Sequence, residues 1–139
     1  MSDDKFRGWR IADFLDLSDY DRDVRVIETW MNRLEMAFVS GDEQLVKQLQ
    51  SISNKTDCLI VVTMGADGSV ALMRGEVIRE PAVHVNGVLD STGCGDAFQA
   101  AFTVSCWKDR NVQHALHRGA QRAAMVLQHY GAIDREIPA

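Results

Sequence analysis

Proline, cysteine and long apolar runs are scarce in this sequence. The only prolines are Pro81 and Pro138, and no Pro/Gly/Ser-rich linker is present, so we expect one domain over residues 1–139. The three cysteines are odd in number and lack metal-like spacing, which argues against a disulfide framework or a zinc site. Reduced thiols suit the cytoplasm, where we expect this chain. No apolar run approaches the length of a membrane span.

An excess of positive charge is also missing. Acidic residues outnumber basic residues by 20 to 15, which gives a formal net charge of −5. This balance argues against a nucleic-acid or anionic-membrane surface, although it allows a local positive field at a phosphate site. With 46% hydrophobic and 25% charged residues, the composition is that of a globular protein. We therefore expect small-molecule partners, with no nucleic acid and no membrane.

Strand and helix patterns alternate through the first half of the chain. Short apolar runs predict strands at 11–17, 36–39 and 58–63, and the third is rich in β-branched residues, as in strands buried on both faces. Between them, apolar residues three or four apart predict amphipathic helices over 22–34 and 45–52. This order predicts an α/β fold in which helices flank a mostly parallel sheet.

The second half is predicted to begin with a hairpin and to end with two helices. Strand patterns at 69–73 and 76–79 flank Arg74-Gly75, a dipeptide suited to a tight turn. Apolar periodicity then predicts helices over 97–107 and 112–130, the second of which precedes Gly131.

A glycine-rich stretch, Asp90-Ser91-Thr92-Gly93-Cys94-Gly95-Asp96-Ala97-Phe98, joins the hairpin to these helices. The glycines allow the N–H groups of Gly93, Cys94 and Gly95 to turn toward one point, at which the next helix aims its positive end. Asp96 then falls in the first helical turn, where a carboxylate is stabilised and can accept a hydroxyl proton. The stretch predicts an anion site beside a base. The alternative is an ordinary glycine-rich turn in which Asp96 caps a helix.

This stretch resembles the Asp-Thr-x-Gly-Ala/Cys-Gly-Asp signature of ribokinase-like (phosphofructokinase-B type) carbohydrate kinases. The resemblance implies that the amides of Gly93, Cys94 and Gly95 form an anion hole for the transferred phosphoryl group. It also implies that Asp96 activates the substrate hydroxyl, that ATP and Mg²⁺ are cofactors, and that the fold is the three-layer, Rossmann-like ribokinase fold.

A second segment, Val61-Val62-Thr63-Met64-Gly65-Ala66-Asp67-Gly68-Ser69, is similar to the Val-Thr-Leu-Gly-x-x-Gly segment that lines the nucleotide in that family. Glycines after a strand let the backbone approach phosphates closely, and ligands of α/β proteins bind at the carboxyl ends of parallel strands. Thr63, Gly65 and Gly68 are therefore candidate ATP contacts. The alternative is a plain strand-to-hairpin turn.

The segment Ser40-Gly41-Asp42-Glu43 lies where the family carries Asn-x-x-Glu, a site tied to Mg²⁺ and phosphate. The resemblance implies that Glu43 holds magnesium through water. Ser40 replaces the usual Asn and is a shorter ligand, which leaves the metal geometry open. The alternative is that Asp42 and Glu43 favour the positive start of a helix.

The resemblance also implies a monovalent cation (K⁺) at Asp90, with Gly131-Ala132 on its other side. Arg135 stands in a segment where a cation is unfavourable, so potassium activation is left open.

The last helix carries a small-residue face that includes Gly119 and Ala120, which admits either the adenine or a packed helix. His114, His117 and His129 have no completing metal ligands nearby in the sequence, and we expect them to be solvated helix positions.

The resemblance runs from about Ile11 to Ala132 but covers only the C-terminal, nucleotide-binding part of the family pattern. We therefore expect an ATP-dependent sugar kinase, a phosphotransferase acting on a sugar hydroxyl, present as a truncated or fragment chain. The alternative is a non-catalytic nucleotide-binding or interaction module derived from such a kinase. Motif residues alone do not separate the two.

Absence of the substrate half also predicts self-association. The family's sheet continues through strands that precede Ile11, so a sheet edge and apolar helix surface would be open to water here. We expect the exposed residues near Phe14, Leu15 and Leu17, with Trp9 or Trp30. An exposed edge is a template for pairing with another chain, so the sequence predicts a homodimer.

Overall fold

The polypeptide is built around a five-stranded sheet whose strands follow one another in chain order. A computed structural model describes residues 8–87 and 91–128. The strands are β1 (Ile11–Asp16), β2 (Met36–Ser40), β3 (Leu59–Thr63), β4 (Ser69–Met73) and β5 (Glu76–Glu80). β1 and β2 are parallel, with Ile11 opposite Met36. The sheet is mixed and mostly parallel and is flanked by helices, which confirms the predicted α/β fold.

Four helices accompany these strands: α1 (Arg25–Trp30), α2 (Glu43–Ser53), α3 (Cys94–Asp109) and α4 (Val112–Leu127). The helix predicted over 22–34 is shorter, because Asp21 and Arg22 have φ values of 53° and 57°, outside the helical region. Its last residues, Met31–Arg33, form a 3₁₀ turn. None of the helices that the structure describes is long and apolar enough to cross a membrane.

The chain forms two compact units. The first contains the residues through Val62 together with Leu72–Val77, and the second contains Thr63–Ala71 and the residues from Ile78 onward. The prediction of a single domain stays a prediction. In the first unit, β2 is buried over its first four residues, and so is β3 as far as Val62. Strands covered on both faces show this pattern, as their apolar runs predicted.

Among the strands that the structure describes, β1 lies at the edge of the sheet, and the prediction of its exposed residues is partly wrong. Leu15 is 57% exposed, but Phe14 and Leu17 are only 8% and 3% exposed. The register shifts between Asp13 and Asp16, and Leu15 has a φ of 55° with its N–H donated to Asp13 Oδ1 at 2.8 Å. Because this break interrupts the alternation of the strand, Phe14 and Leu17 both enter the core.

The sequence also predicted that Trp9 or Trp30 would contribute to this exposed apolar surface. Trp30 is exposed, whereas Trp9 is half-buried.

The hairpins place two strand ends at the same edge of the sheet. β3 and β4 are neighbours joined by a short turn, in which Met64 N–H donates to Gly68 O at 2.9 Å. β4 and β5 are neighbours joined by the Arg74-Gly75 turn, where both residues have positive φ (51° and 82°). Each short turn reverses the chain, so β3 and β5 run in the same direction. Their carboxyl ends therefore share an edge.

At Gly68, just before β4, the turn that follows β3 touches the end of β5. Gly68 has φ 93° and ψ −148°, a region that is essentially restricted to glycine. A β-carbon at Gly68 would collide with Glu80 O and would lie 3.1 Å from both Pro81 Cα and Ala82 N. The chain between β3 and β4 thus packs directly on the backbone that follows β5.

We predict that Gly68→Ala lowers the free energy of unfolding by about 3 kcal/mol, because it adds backbone strain and a clash with main-chain atoms. The control is Gly65→Ala in the same turn. Gly65 has φ 58°, but a β-carbon there would meet nothing within 4 Å, so we expect a loss of only about 1–2 kcal/mol. Urea unfolding followed by tryptophan fluorescence measures both. Equal losses would show that the contact with β5 contributes nothing.

Candidate functional site

α3 begins inside the glycine-rich stretch, three residues earlier than the apolar pattern predicted. Gly93 is its N-cap and has φ 78° and ψ 2°, a left-handed conformation that glycine adopts at low cost. Ala97 N–H donates to Gly93 O at 2.9 Å, which closes the first turn. Asp96 lies in this first helical turn, as predicted, and it is exposed.

The start of α3 is open toward solvent. A glycine at the N-cap has no side chain with which to cap the helix, and a β-carbon at Gly95 would meet no atom within 4 Å. The helix is 16 residues long, so its N-terminus carries a substantial positive partial charge. The N–H of Cys94 donates to Ser91 O at 3.2 Å, so an anion would have to share or replace that bond.

Cys94 is half-buried between the two glycines, and burial raises the pKa of its thiol. A thiol with a raised pKa is neutral at pH 7, and so places no negative charge beside the helix N-terminus. Cys58 and Cys106 are buried, and all three cysteines are free.

The turn after β3 contains the second set of predicted residues. Thr63 ends β3 and is half-buried, and Gly65–Asp67 form a 3₁₀ turn. Gly65 is exposed, with open space around it, whereas Gly68 is buried against the chain after β5. The two glycines therefore differ: Gly65 faces solvent, and Gly68 is required by packing.

The carboxylate of Glu80 links the end of β5 to α4, and sequence reasoning missed it. Gln113 Nε2 donates to Glu80 Oε2 at 2.7 Å and to Arg79 O at 3.2 Å. His117 Nδ1 lies 2.8 Å from Glu80 Oε1. Gln113 and His117 are four residues apart, so their shared helix face was readable from the sequence. Their partner was not, because it lies more than 30 residues away in the chain.

The histidines of α4 that the structure describes are also more engaged than predicted. His117 is half-exposed and bound to Glu80, and His114 Nδ1 lies 2.6 Å from Asp109 Oδ2. His129 lies outside the described residues.

The small-residue face of α4 packs on α3. A β-carbon at Gly119 would come within 2.8 Å of the Phe98 ring, and Ala120 is buried. Helix packing therefore accounts for Gly119, whereas an adenine contact at Gly119 or Ala120 stays a prediction. Phe98 lies two residues after Asp96, so this contact joins α4 to the first turns of α3.

The segment before α2 belongs to the first unit. Asp42 is the N-cap of α2, accepts a hydrogen bond from Leu45 N–H at 2.9 Å and pairs with Arg22 Nη2 at 2.8 Å. The backbone hydrogen bond, followed by Arg22, lowers the pKa of Asp42. These contacts of the Asp42 carboxylate therefore stabilise the folded state above the ordinary aspartate pKa, and their contribution is lost as the pH falls through the lowered pKa of Asp42.

The metal-site predictions are not resolved by this geometry. Glu43 is exposed at the first position of α2. Among residues 8–87 and 91–128, no group of three or more His, Cys, Asp or Glu side chains is arranged to hold a metal ion. Asp90, together with Gly131, Ala132 and Arg135, lies outside the described residues.

Comparison with known proteins identifies the family. The family model described as pfkB family carbohydrate kinase matches residues 27–139. Fructoselysine 6-kinase from Escherichia coli (strain K12) is 30% identical over 108 residues, which cover 76% of this chain and 41% of that relative. The chain thus spans about two fifths of the length of this relative.

Solved structures share the fold. A probable sugar kinase from Rhizobium etli CFN 42 matches with a TM-score of 0.75 and 22% identity, covering 92% of this chain and 42% of that one. Arabidopsis thaliana ribokinase, solved with ribose and ATP, matches with a TM-score of 0.67 and 22% identity over 76% of this chain and 38% of that one. The family match over most of the sequence and the shared ribokinase fold lead to one conclusion: this chain belongs to the pfkB family of carbohydrate kinases.

Proposed function

We propose that this chain is the ATP-binding part of a sugar kinase that transfers a phosphoryl group from ATP to a hydroxyl of a sugar or sugar derivative. The observation that carries the proposal is the open, glycine-capped start of α3, with Asp96 exposed in its first turn. The ligands of Arabidopsis ribokinase, ribose and ATP, support this substrate class. Because the chain spans 41% of its Escherichia coli relative, the complete reaction is proposed for this chain acting with a sugar-binding part.

Phosphoryl transfer requires positioning and charge stabilisation more than covalent participation by the protein. In this proposal, the backbone amides from Gly93 to Gly95 stabilise the transferred phosphoryl group. Asp96 accepts the proton of the attacking hydroxyl. In a loose transition state that proton leaves late, so the reaction does not require a strong base.

The nucleotide phosphates would follow the turn after β3. Gly65 offers exposed backbone there, and Thr63 ends the strand beside it. Gly68 holds the turn in place by packing against the chain at the end of β5. Gly119 and Ala120 are proposed to border the adenine.

Magnesium at Glu43 is part of the proposal on the strength of the family resemblance. Mg²⁺ usually keeps several waters and binds through one or two carboxylates together with substrate phosphates, so a single exposed carboxylate is a suitable protein ligand. When bound, the metal would neutralise charge on the transferred phosphate. A monovalent cation at Asp90 remains part of the proposal on the strength of the family resemblance.

Nucleotide binding is the first test. We predict that the chain binds ADP and ATP in a calorimetric titration, and that Gly95→Asp weakens binding roughly tenfold or more by like-charge repulsion. The fold should tolerate this change, because the position has open space and a helix N-terminus favours acidic residues. Ala100→Asp, an exposed position in the same helix, is the matched control and should bind normally. A folded chain without nucleotide affinity would refute the proposed function.

The chemical step gives a second test. We predict that the purified chain shows negligible sugar-dependent ADP release, because it spans only 41% of its Escherichia coli relative and a hydroxyl must be held in line and shielded from water to react. A coupled ADP-release assay with and without sugar measures this. Robust sugar-dependent turnover would contradict the prediction. In that event Asp96→Asn should reduce turnover by about 10²–10⁴-fold while leaving nucleotide affinity intact, because Asp96 would act on the hydroxyl.

The homodimer is a further part of this proposal. β1 is an edge strand in the described part of the sheet, and Leu15, Ile11 and Trp30 expose apolar surface in the first unit. Sedimentation at micromolar concentration should therefore show a dimer. Leu15→Asn should give a monomer without loss of stability, because Asn tolerates the φ of 55° and removes apolar surface. Val104→Asn, at an exposed position of α3, should stay dimeric. A monomeric parent chain would overturn this part.

A further inference from the structure

Two segments of the proposed nucleotide site meet at Glu80. Its main-chain oxygen is the atom that a β-carbon at Gly68 would strike, so it lies directly against the turn after β3. Its side chain extends to α4, where it contacts Gln113 and His117. Glu80 therefore contacts the Gly65–Gly68 turn through its backbone and α4 through its carboxylate.

The carboxylate of Glu80 has a protein partner for each of its two oxygens, Gln113 and His117. The Glu80 side chain is only 13% exposed, and a carboxylate with so little solvent needs protein donors. Gln113 Nε2 supplies one bond and also reaches Arg79 O, so this amide fixes both the side chain and the backbone at the end of β5. Against an ionised carboxylate, His117 Nδ1 must carry a proton and donate the second bond.

The contacts continue from α4 to the start of α3. Gly119 lies two residues after His117 and packs against the Phe98 ring. Phe98 follows the turn that contains Asp96. The bonds at Glu80 therefore link the end of β5 to a helix that also packs on the first turns of α3.

We propose that Glu80 is a positioning residue that sets the geometry of the Gly65–Gly68 turn relative to α4. The inference rests on the proposed function, because that geometry matters for a nucleotide bound along the turn. Gln113 and His117 act through Glu80 as its partners. None of the three needs to touch the nucleotide.

The test compares Glu80→Ala with Glu80→Gln. The glutamine can accept from Gln113 through its oxygen and donate through its amide to an unprotonated His117 Nδ1, so it can keep both contacts, whereas alanine removes them. Glu76→Ala, an exposed glutamate in the same strand, is the matched control. Two quantities are measured: the affinity for ADP, and the hydrogen-exchange rates of the amides of Met64, Asp67 and Gly68 without nucleotide. All three amides donate hydrogen bonds within the turn.

We expect Glu80→Ala to accelerate exchange of these amides and to weaken ADP binding by roughly tenfold each, the scale of one or two hydrogen bonds. Glu80→Gln should restore both quantities, and Glu76→Ala should change neither. Gln113→Ala removes the two bonds that this amide donates to Glu80 and to Arg79 O, but it keeps the contact between His117 and Glu80 and changes no residue of the sheet. It should give a smaller change in the same direction, and it serves in place of Glu80→Ala if that variant does not fold.

The outcomes separate this inference from the proposed function. Unchanged exchange in Glu80→Ala, or a failure of Glu80→Gln to restore it, would overturn the positioning role. If the parent chain binds no ADP, the proposed function fails, but the exchange rates still judge whether Glu80 holds the turn. Faster exchange with unchanged ADP affinity would likewise overturn the inference, because the turn geometry would then be irrelevant to the nucleotide.

Discussion

The close approach of Gly68 to the chain after β5 is the constraint on which the arrangement of the second unit depends. No other residue type combines the required φ and ψ with the absence of a β-carbon. Because Gly68 allows the contact, the turn after β3 lies against Glu80, and the side chain of Glu80 is free to bind α4. The same turn leaves Gly65 exposed. The two glycines of this turn therefore differ in role: Gly68 packs against β5, and Gly65 exposes its backbone to solvent.

Much of this fold could be predicted from the sequence, because apolar periodicity is a local signal. The three strands of the first half and α2 lie within a residue or two of their predicted bounds. The start of α3 was predicted too late, because its first turn is made of Cys94, Gly95 and Asp96, which carry no apolar periodicity. The burial of Phe14 and Leu17 was missed because it depends on the left-handed backbone at Leu15. Nothing about leucine predicts that conformation.

In the candidate site, too, local features could be predicted from the sequence and contacts between distant elements could not. The order of glycines and acidic residues predicted the place of Gly93 at the helix start and of Asp96 in the first turn, since both follow from local chain geometry. The partners of His117 could not be predicted, because hydrogen bonds between β5 and α4 depend on how distant elements pack. Packing also explains Gly119, whose missing side chain makes room for the Phe98 ring. A small residue in a helix therefore signals a close contact without revealing whether protein or ligand makes it.

If the proposed anion site is correct, the charges at the start of α3 have opposing effects on a bound phosphoryl group. The helix dipole and the amides attract negative charge, and the neutral Cys94 thiol does not oppose it. Asp96 is the one acidic residue in the first helical turn, and it is exposed, so its charge is screened by water until a ligand covers the site. Once water is excluded, the same carboxylate would repel a bound phosphoryl group and attract a hydroxyl proton more strongly. In the proposed reaction, that opposition would favour the transfer step over tight binding of the phosphoryl group.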